Sequence, residues 1–197
     1  MNKPYSESCD QNKAAIFSII APVLSSVTNV LEIGSGTGQH ALYFAKKIPH
    51  LKWHTSDCCS YIEGINMWLD DVDQKNVLPP FELNVSESQW PTLVVDTIFT
   101  ANTLHIMSDE DVENFISGAA QLLDSQGGLL IYGPFNYDGS FTSESNERFD
   151  RWLKDRDVKS GIKNFEEIVS LVKKNGMRLV TDYEMPENNR ILHFTKI

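Results

Sequence analysis

Short apolar runs alternate with longer amphipathic stretches along this chain. The runs are rich in β-branched residues and predict strands over 28–33, 51–57, 79–85, 94–101, 129–135, 177–185 and 190–197. The longer stretches carry apolar residues at helical spacing and predict helices over 39–48, 61–72, 109–125, 147–155 and 164–176. A polar stretch separates the fifth strand from the helix that follows it.

Alternation of strands and helices predicts an α/β fold, in which helices cover both faces of a parallel sheet. Right-handed crossovers favour a Rossmann-like, doubly wound sheet of about seven strands, mostly parallel, with an antiparallel strand from the C-terminal hairpin. No linker or repeat divides the chain, so a single domain over 1–197 is expected. Such sheets bind ligands outside the carboxyl ends of their strands, so we look for functional residues in the loops there.

The first strand runs into a glycine-rich turn, LEIGSGTGQH. Gly34, Gly36 and Gly38 alternate with small residues, and Glu32 precedes them. Alternating glycines let the backbone pass close to a ligand and leave amide donors at a helix N-terminus. A dinucleotide fingerprint would need a glycine where the chain has Gln39, so this spacing disfavours a nicotinamide cofactor.

The pattern acid-x-G-x-G-x-G resembles the first motif of the S-adenosylmethionine-dependent methyltransferases with a Rossmann-like sheet. The resemblance implies that a turn of Gly34, Ser35, Gly36 and Gly38 accommodates the methionine part of this cofactor. It also implies that Glu32 helps to hold the cofactor's ammonium group.

Two further loops are candidates for the rest of the cofactor. Asp57 ends the second strand about 20 residues past the turn, where a carboxylate can hold ribose hydroxyls. The alternative for Asp57 is a helix N-cap, and the two roles are compatible. Asn84 and Val85 follow the third strand, where methyltransferases present a polar and an apolar residue to the adenine. That family more often has an aspartate at the polar position, and Asn84 is equally well explained as a turn former.

Four blocks extend the resemblance over nearly the whole chain: VLEIGSGTGQHALYFA, DTIFTANTLHIM, GGLLIYGPFNYDGSFTSESNERFD and MPENN. In wording, order and spacing they are similar to the little-characterised methyltransferase-like 26 family. That family usually carries an Arg-Asn pair near residues 8–13, where this chain has Gln11 and Asn12. The resemblance implies a methyltransferase fold and cofactor binding, and it supplies no substrate.

The loops after the fourth and fifth strands are the expected place for methyl transfer. Asn102 and His105 leave the fourth strand and Tyr132 leaves the fifth, so these three are the candidate catalytic residues. His105 is a candidate general base, and the alternative is a histidine that ties the loop to the backbone. The D/N-P-P-Y signature of amine methylation is absent, because Thr103 and Leu104 follow Asn102.

The loop after the fifth strand is long and polar for a compact domain, which is more typical of a functional segment. We expect residues 132–146 to roof an acceptor pocket whose floor is 102–105, while the alternative is a lid that only covers cofactor. The expected acceptor contacts are an apolar pair and two hydrogen-bonding side chains: Pro134, Phe135, Ser143 and Asn146.

Composition and charge narrow the partners. Hydrophobic residues make up 41% and charged residues 22% of the chain, which are ordinary globular values. A formal net charge of −10 without a basic stripe disfavours nucleic acid. No run approaches the ~18 apolar residues of a membrane span, and the polar N-terminal stretch MNKPYSESCDQNK has no apolar signal core, so a cytoplasmic protein with no membrane partner is expected. The three cysteines and five histidines lack metal-ligand spacing, so no metal is expected.

Three functions compete at this point. The first is an enzyme, an S-adenosylmethionine-dependent methyltransferase that acts on a small-molecule acceptor. The second is a non-catalytic module that binds the same cofactor and acts through a protein partner. The third is a nicotinamide enzyme, which Gln39 disfavours.

Overall fold

The computed structural model describes residues 3–87 and 89–197, which form six α-helices and eight strands. In chain order these elements are α1 (Glu7–Leu24), β1 (Asn29–Ile33), α2 (Gln39–Lys47), β2 (Lys52–Asp57), α3 (Cys59–Leu69), β3 (Val77–Glu82), β4 (Val95–Ala101), α4 (Asp109–Leu122), β5 (Leu123–Asn136), α5 (Glu144–Arg156), β6 (Lys163–Asn164), α6 (Phe165–Lys174), β7 (Met177–Met185) and β8 (Asn189–Lys196). Short 3-10 helices lie at Leu104–Ile106 and Pro186–Asn188.

The strands form one mixed sheet in the order β3-β2-β1-β4-β5-β8-β7, with β6 beside β5. Strands β1 to β5 pair in parallel, whereas β8 runs antiparallel to both of its neighbours, β5 and β7. Strand order reverses between β1 and β4, which is the switch point of a doubly wound sheet. The predicted fold class is therefore confirmed.

Two hydrophobic layers cover the two faces of this sheet, as the alternation of side chains along each strand requires. In β1, Leu31 and Ile33 pack into the layer beneath α4 and α6, while Val30 packs into the layer beneath α1 and α2. Among the described helices, none has both the length and the apolar composition needed to cross a bilayer.

Each predicted strand is present, with ends that shift by up to three residues except at β5, which begins six residues earlier than predicted, at Leu123. Strand β3 contains Pro79 and Pro80, which its position at the edge of the sheet permits because an edge strand leaves one row of donors unpaired. Helix α4 ends at Leu122, earlier than predicted, because Leu123 already pairs with Val95 of β4.

Helix α1 and the two-residue strand β6 were not predicted. The last two-thirds of α1 are apolar on almost every side and carry Pro22 near the end, so no amphipathic period marks the helix. Ser6 nevertheless caps it, since its hydroxyl accepts a hydrogen bond from the backbone of Cys9.

Candidate functional site

A cavity of about 690 Å³ opens at the carboxyl ends of β1 to β4. Its volume lies within the roughly 300–1,000 Å³ that is usual for small-molecule sites. Its walls come from the segment before α1, from α1 itself and from the loops after the four strands. They include Pro4, Ser6, Cys9, Gly34, Ser35, Gly36, Thr37, His40, Asp57, Asn84, Val85, Asn102, Thr103 and Asp111.

The glycine turn forms one wall of this cavity and uses its glycines in different ways. Gly34 and Gly36 both have left-handed backbones, with φ of 73° and 58°. A Cβ on Gly34 would overlap the side chain of Thr103, whereas a Cβ on Gly36 would meet nothing within 4 Å and project into open space. Gly36 is therefore the position where the backbone itself borders the open space of the cavity.

Gly38 lies outside the cavity wall, so its expected contact with the cofactor is corrected. It is the N-cap of α2 with a φ of 81°, and a Cβ there would press on Ile65 of α3. Gly38 therefore permits close packing between α2 and α3. Ser35 does line the cavity, and its hydroxyl accepts a hydrogen bond from the backbone of Ser56 at 3.2 Å.

Asp57 stands at the end of β2 and ties the glycine turn to this strand. Its Oδ2 accepts the Gly36 N–H at 2.7 Å, and its Oδ1 accepts the Cys58 N–H at 2.7 Å. The carboxylate lines the cavity, and each oxygen keeps a lone pair for a further donor. Burial raises its pKa despite these two hydrogen bonds. The N-cap position of α3 is Cys58, so the capping alternative for Asp57 does not apply.

Glu32 does not reach the cavity, which corrects the expected contact with an ammonium group. Its side chain is 1% exposed and accepts a hydrogen bond from the Trp53 indole at 3.0 Å. Burial raises the pKa of this carboxyl to about 8, with a smaller contribution from the charge of Asp57. Glu32 therefore braces β1 against β2 beneath the glycine turn.

The loop after β3 forms the opposite end of the cavity. Val85 and Asn84 both line it, and the Asn84 side chain also accepts the Ser86 N–H at 3.1 Å, so Asn84 forms the turn as well. Asp111 of α4 faces the same end and was missed by sequence reasoning. Hydrogen bonds from Ser86 and Ser108 lower its pKa, so this carboxyl is charged at neutral pH.

Of the three candidate catalytic residues, only Asn102 lines the cavity. Asn102 lines the cavity with a left-handed backbone, φ 60°, and its N–H donates to Tyr132 O at 2.9 Å. The side chain of Tyr132 is buried in the layer beneath α1 and α2. His105 is also buried, its ring lies edge-on to Phe149, and burial lowers its pKa to about 4. The placement of Tyr132 and His105 away from the cavity wall corrects this part of the prediction.

The expected roof over residues 132–146 is corrected as well, because none of these residues lines the cavity. Phe135 is 1% exposed within the core, and Pro134 beside it is buried. Ser143 caps α5 by accepting the Asn146 N–H, and the Asn146 amide donates to Thr142 and Asn188. The polar side chains of this loop therefore stabilise the N-terminus of α5.

The N-terminal segment supplies walls that sequence reasoning missed. Gln39 of α2 bonds to both backbone groups of Ser6, and the Trp68 indole donates to Pro4 O at 2.6 Å. These bonds hold the segment before α1 at the cavity wall, where Cys9 of α1 lies beside His40. His40 was readable in the sequence as the residue that closes the glycine motif, whereas Cys9 belongs to the helix that was not predicted.

The cavity is electrostatically one-sided. Its walls hold the carboxyls of Asp57, Glu63 and Asp111, and no lysine or arginine within the described chain lines it. A ligand that carries positive charge matches this lining. Across residues 3–87 and 89–197, no three His, Cys, Asp or Glu side chains are grouped so that they could hold a metal ion.

The family model described as "Protein of unknown function (DUF938)" matches residues 3–196. The chain belongs to this family. The match spans the glycine turn, Asp57 and the closing strands, so the cavity lies wholly within the DUF938 region.

Solved structures share the fold of this DUF938 chain at low sequence identity. They include the mitomycin 7-O-methyltransferase MmcR (TM-score 0.81, 16% identity, 95% of this chain and 54% of that chain). Human N-acetylserotonin methyltransferase in complex with SAM gives a TM-score of 0.80 at 14% identity, over 96% and 53% of the two chains. An O-methyltransferase family protein from Burkholderia thailandensis gives a TM-score of 0.79 at 16% identity, over 95% of this chain and 59% of that chain. The DUF938 chain thus has the class I methyltransferase fold and spans little more than half the length of these proteins.

Proposed function

We propose that this protein is an S-adenosylmethionine-dependent methyltransferase that acts on a small-molecule acceptor. One observation carries the proposal: the turn at Gly36, the Asp57 carboxylate and the Asn84–Val85 loop converge on a single cavity at the switch point of the sheet. The same fold in proteins described as methyltransferases supports it.

The residues of the cavity fit this cofactor in shape and charge. Gly36 leaves open space beside its backbone for the methionine part, and Asp57 keeps lone pairs for two ribose hydroxyls. Val85 offers an apolar surface to the adenine, and the charged Asp111 supplies an acceptor for an amino group near Asn84. The acidic lining complements a sulfonium cation.

When bound, S-adenosylmethionine supplies a methyl group on a good leaving group, so the protein mainly has to position and desolvate the partners. Asn102, held after the end of β4 by its bond to Tyr132 O, lines the same cavity as the glycine turn. We assign the acceptor to this part of the cavity, between Asn102 and α1.

The finer parts of the proposal rest on the sequence. We propose a small metabolite, methylated on oxygen or another heteroatom, because the D/N-P-P-Y signature is absent after Asn102. Kinship with the methyltransferase-like 26 family rests on the four sequence blocks. A single domain and a cytoplasmic setting are part of the same proposal, and the three free cysteines fit a reducing compartment.

The first test is ligand-dependent stability of the wild-type protein. S-adenosylmethionine and S-adenosylhomocysteine are expected to raise the melting temperature, because a ligand at about 100 times its Kd stabilises the folded state by about 2.7 kcal/mol. NAD is the control ligand and is expected to have no effect. Stabilisation by NAD, with none by S-adenosylmethionine, would reverse the assignment.

A pair of matched variants ties the binding to the proposed site. Asp57 and Asp96 each accept two backbone N–H groups, but Asp96 bonds to Thr28 and Asn29 at the opposite end of the sheet. Asp57→Asn is expected to weaken S-adenosylhomocysteine at least tenfold, about 1.4 kcal/mol, in calorimetry. Asp96→Asn is expected to leave that affinity unchanged. Equal affinities of the two variants would remove Asp57 from the site.

Catalysis is separated from simple binding by product formation. An acceptor-dependent release of S-adenosylhomocysteine identifies an enzyme. Binding without turnover, across a broad panel of hydroxyl-bearing and thiol-bearing metabolites, would favour the alternative of a non-catalytic module.

A further inference from the structure

A partly buried polar cluster lies at the α1 side of the cavity and has no role in the proposed binding of the cofactor. It consists of Cys9 and Asn12 on α1 and His40 in the first turn of α2. The His40 Nε2 lies 2.7 Å from Asn12 Oδ1, and its Nδ1 lies 3.8 Å from Cys9 Sγ. His40 is 4% exposed, yet both it and Cys9 contribute to the cavity wall.

The hydrogen bonds fix which nitrogen of His40 carries the proton. An amide oxygen only accepts, so Nε2–H donates to Asn12 Oδ1. Burial, and to a lesser degree the charge of Lys13, lowers the pKa of His40 to about 4, so the ring is neutral at physiological pH. Its Nδ1 is therefore a bare lone pair.

Packing fixes the direction of this lone pair. The His40 ring stacks on Phe44 with centroids 5.2 Å apart and an interplanar angle of 10°, and it meets Phe99 edge-on. The partner that Nδ1 has is the thiol of Cys9, a weak donor at a long distance. A ligand group with an O–H is a stronger donor and would displace the thiol from this lone pair.

The charge of the cavity walls restricts the kind of molecule that can carry this O–H donor. Carboxyls of Asp57, Glu63 and Asp111 line the walls, and the described residues place no lysine or arginine there to receive an anion. The apolar surface of Ile33 and Ala101 favours an uncharged body. A carboxylate or phosphate on the acceptor is thus disfavoured.

We propose that His40, oriented by Asn12, is the specificity-determining residue of the acceptor site, where its Nδ1 accepts a hydrogen bond from the hydroxyl of a neutral acceptor. This inference rests on the proposed methyltransferase function. The weakly basic ring holds the hydroxyl without taking its proton, so it orients the oxygen and rejects an equally sized group that lacks the donor.

The test compares phenol with toluene, which have nearly the same size but differ in the hydroxyl. On histidine-labelled protein loaded with S-adenosylhomocysteine, phenol is expected to shift the ¹⁵N resonance of His40 Nδ1, and toluene is not. Phenol is expected to bind roughly fivefold more tightly than toluene, the ratio that a single hydrogen bond gives. His40→Phe, which keeps an aromatic ring, is expected to abolish this preference.

His193→Phe is the control, because His193 lies on β8 outside the cavity, and the preference for phenol is expected to persist in it. The resonance shift is read on the wild-type protein, so it decides the matter even where His40→Phe fails to fold. An unchanged His40 resonance, equal binding of phenol and toluene, or a preference that survives His40→Phe would each overturn the inference.

The affinity for S-adenosylhomocysteine, measured first, separates the two proposals. Absence of that binding contradicts the proposed function, and the phenol titration without cofactor still reports on His40. Normal cofactor binding with no response to phenol contradicts the role of His40 alone.

Discussion

Gly36 and Gly139 share a left-handed backbone, with φ of 58° and 69°, and a Cβ on either would meet no atom within 4 Å. They differ in location, because Gly36 lines the cavity and Gly139 lies in the exposed loop after β5. Alanine at either position costs about 1–2 kcal/mol of unfolding free energy through backbone strain alone. The pair therefore separates strain from contact with a ligand.

We expect Gly36→Ala to weaken S-adenosylhomocysteine at least tenfold, about 1.4 kcal/mol, while Gly139→Ala binds it normally. Calorimetric titration of both variants, with denaturant unfolding of each, checks the expectation. Wild-type affinity in Gly36→Ala would mean that the turn does not approach the cofactor.

The sequence predicted which loops carry the residues of the glycine motif and Asp57, but it did not predict where each side chain points. Glycine spacing and the interval to Asp57 placed the turn and the acid at one sheet edge, and both line the cavity. Glu32 belongs to the same motif, but its carboxyl turns toward the Trp53 indole, a partner 21 positions away. The orientation of a polar side chain on a strand depends on partners that are distant in sequence, and the local sequence pattern does not reveal those partners.

At the scale of elements, helix α1 is a case that prediction from hydrophobic periodicity missed. Ile16, Ile20 and Leu24 are fully buried, so the helix is part of the layer over β1 and β4. Its remaining surface is also largely apolar, which hides the period of 3.6 on which helix prediction relies. The sequence prediction of the site was incomplete for the same reason, because α1 brings Cys9 to the cavity wall and Asn12 to His40.

We expect Ile20→Ala to lower the free energy of unfolding by about 2–5 kcal/mol, since it leaves a cavity between α1 and the sheet. Val158→Ala is the control, because Val158 is 83% exposed, and it should change stability by less than about 0.5 kcal/mol. Urea unfolding at constant pH measures both. A loss below about 0.5 kcal/mol in Ile20→Ala would show that α1 is not docked.

The loop after β5 illustrates the opposite error, where a sequence feature suggested more than the structure contains. Its length and polarity indicated a roof over an acceptor. In the structure the Ser143 hydroxyl caps α5, and the Tyr137 hydroxyl donates a hydrogen bond to Asp182 of β7. Composition shows that a loop is polar, but tertiary pairing decides what its polar groups contact.

For the whole molecule, Glu32 links stability to pH. Its pKa rises from 4.5 to about 8 on folding, chiefly by burial, while hydrogen bonds from Trp53 and Ser35 oppose the rise and Asp57 adds to it. Between these values the folded protein holds a proton that the unfolded chain has released. Stability from this group is therefore present below pH 4.5 and is lost as pH rises towards 8.

We expect the unfolding free energy of the wild type to fall between about pH 5.5 and about pH 7.5, by at most about 1.4 kcal/mol per pH unit from this group. Glu32→Gln imitates the protonated acid and should flatten this dependence. Glu82→Gln removes the same charge from an exposed site and is expected to keep the wild-type slope. Denaturant titrations at the two pH values decide, and parallel slopes for all three proteins would contradict the burial argument.

The position of strand β8 in the sheet affects how the chain folds during synthesis. It is the last strand in sequence, yet it lies between β5 and β7 rather than at an edge of the sheet. Until residues 189–196 emerge during synthesis, the hydrogen-bonding edge of β5 that β8 later occupies is open to any other extended chain. Nascent molecules on neighbouring ribosomes would then compete with β8 for that edge. Yield of the native protein should depend on how quickly its final hairpin follows β5.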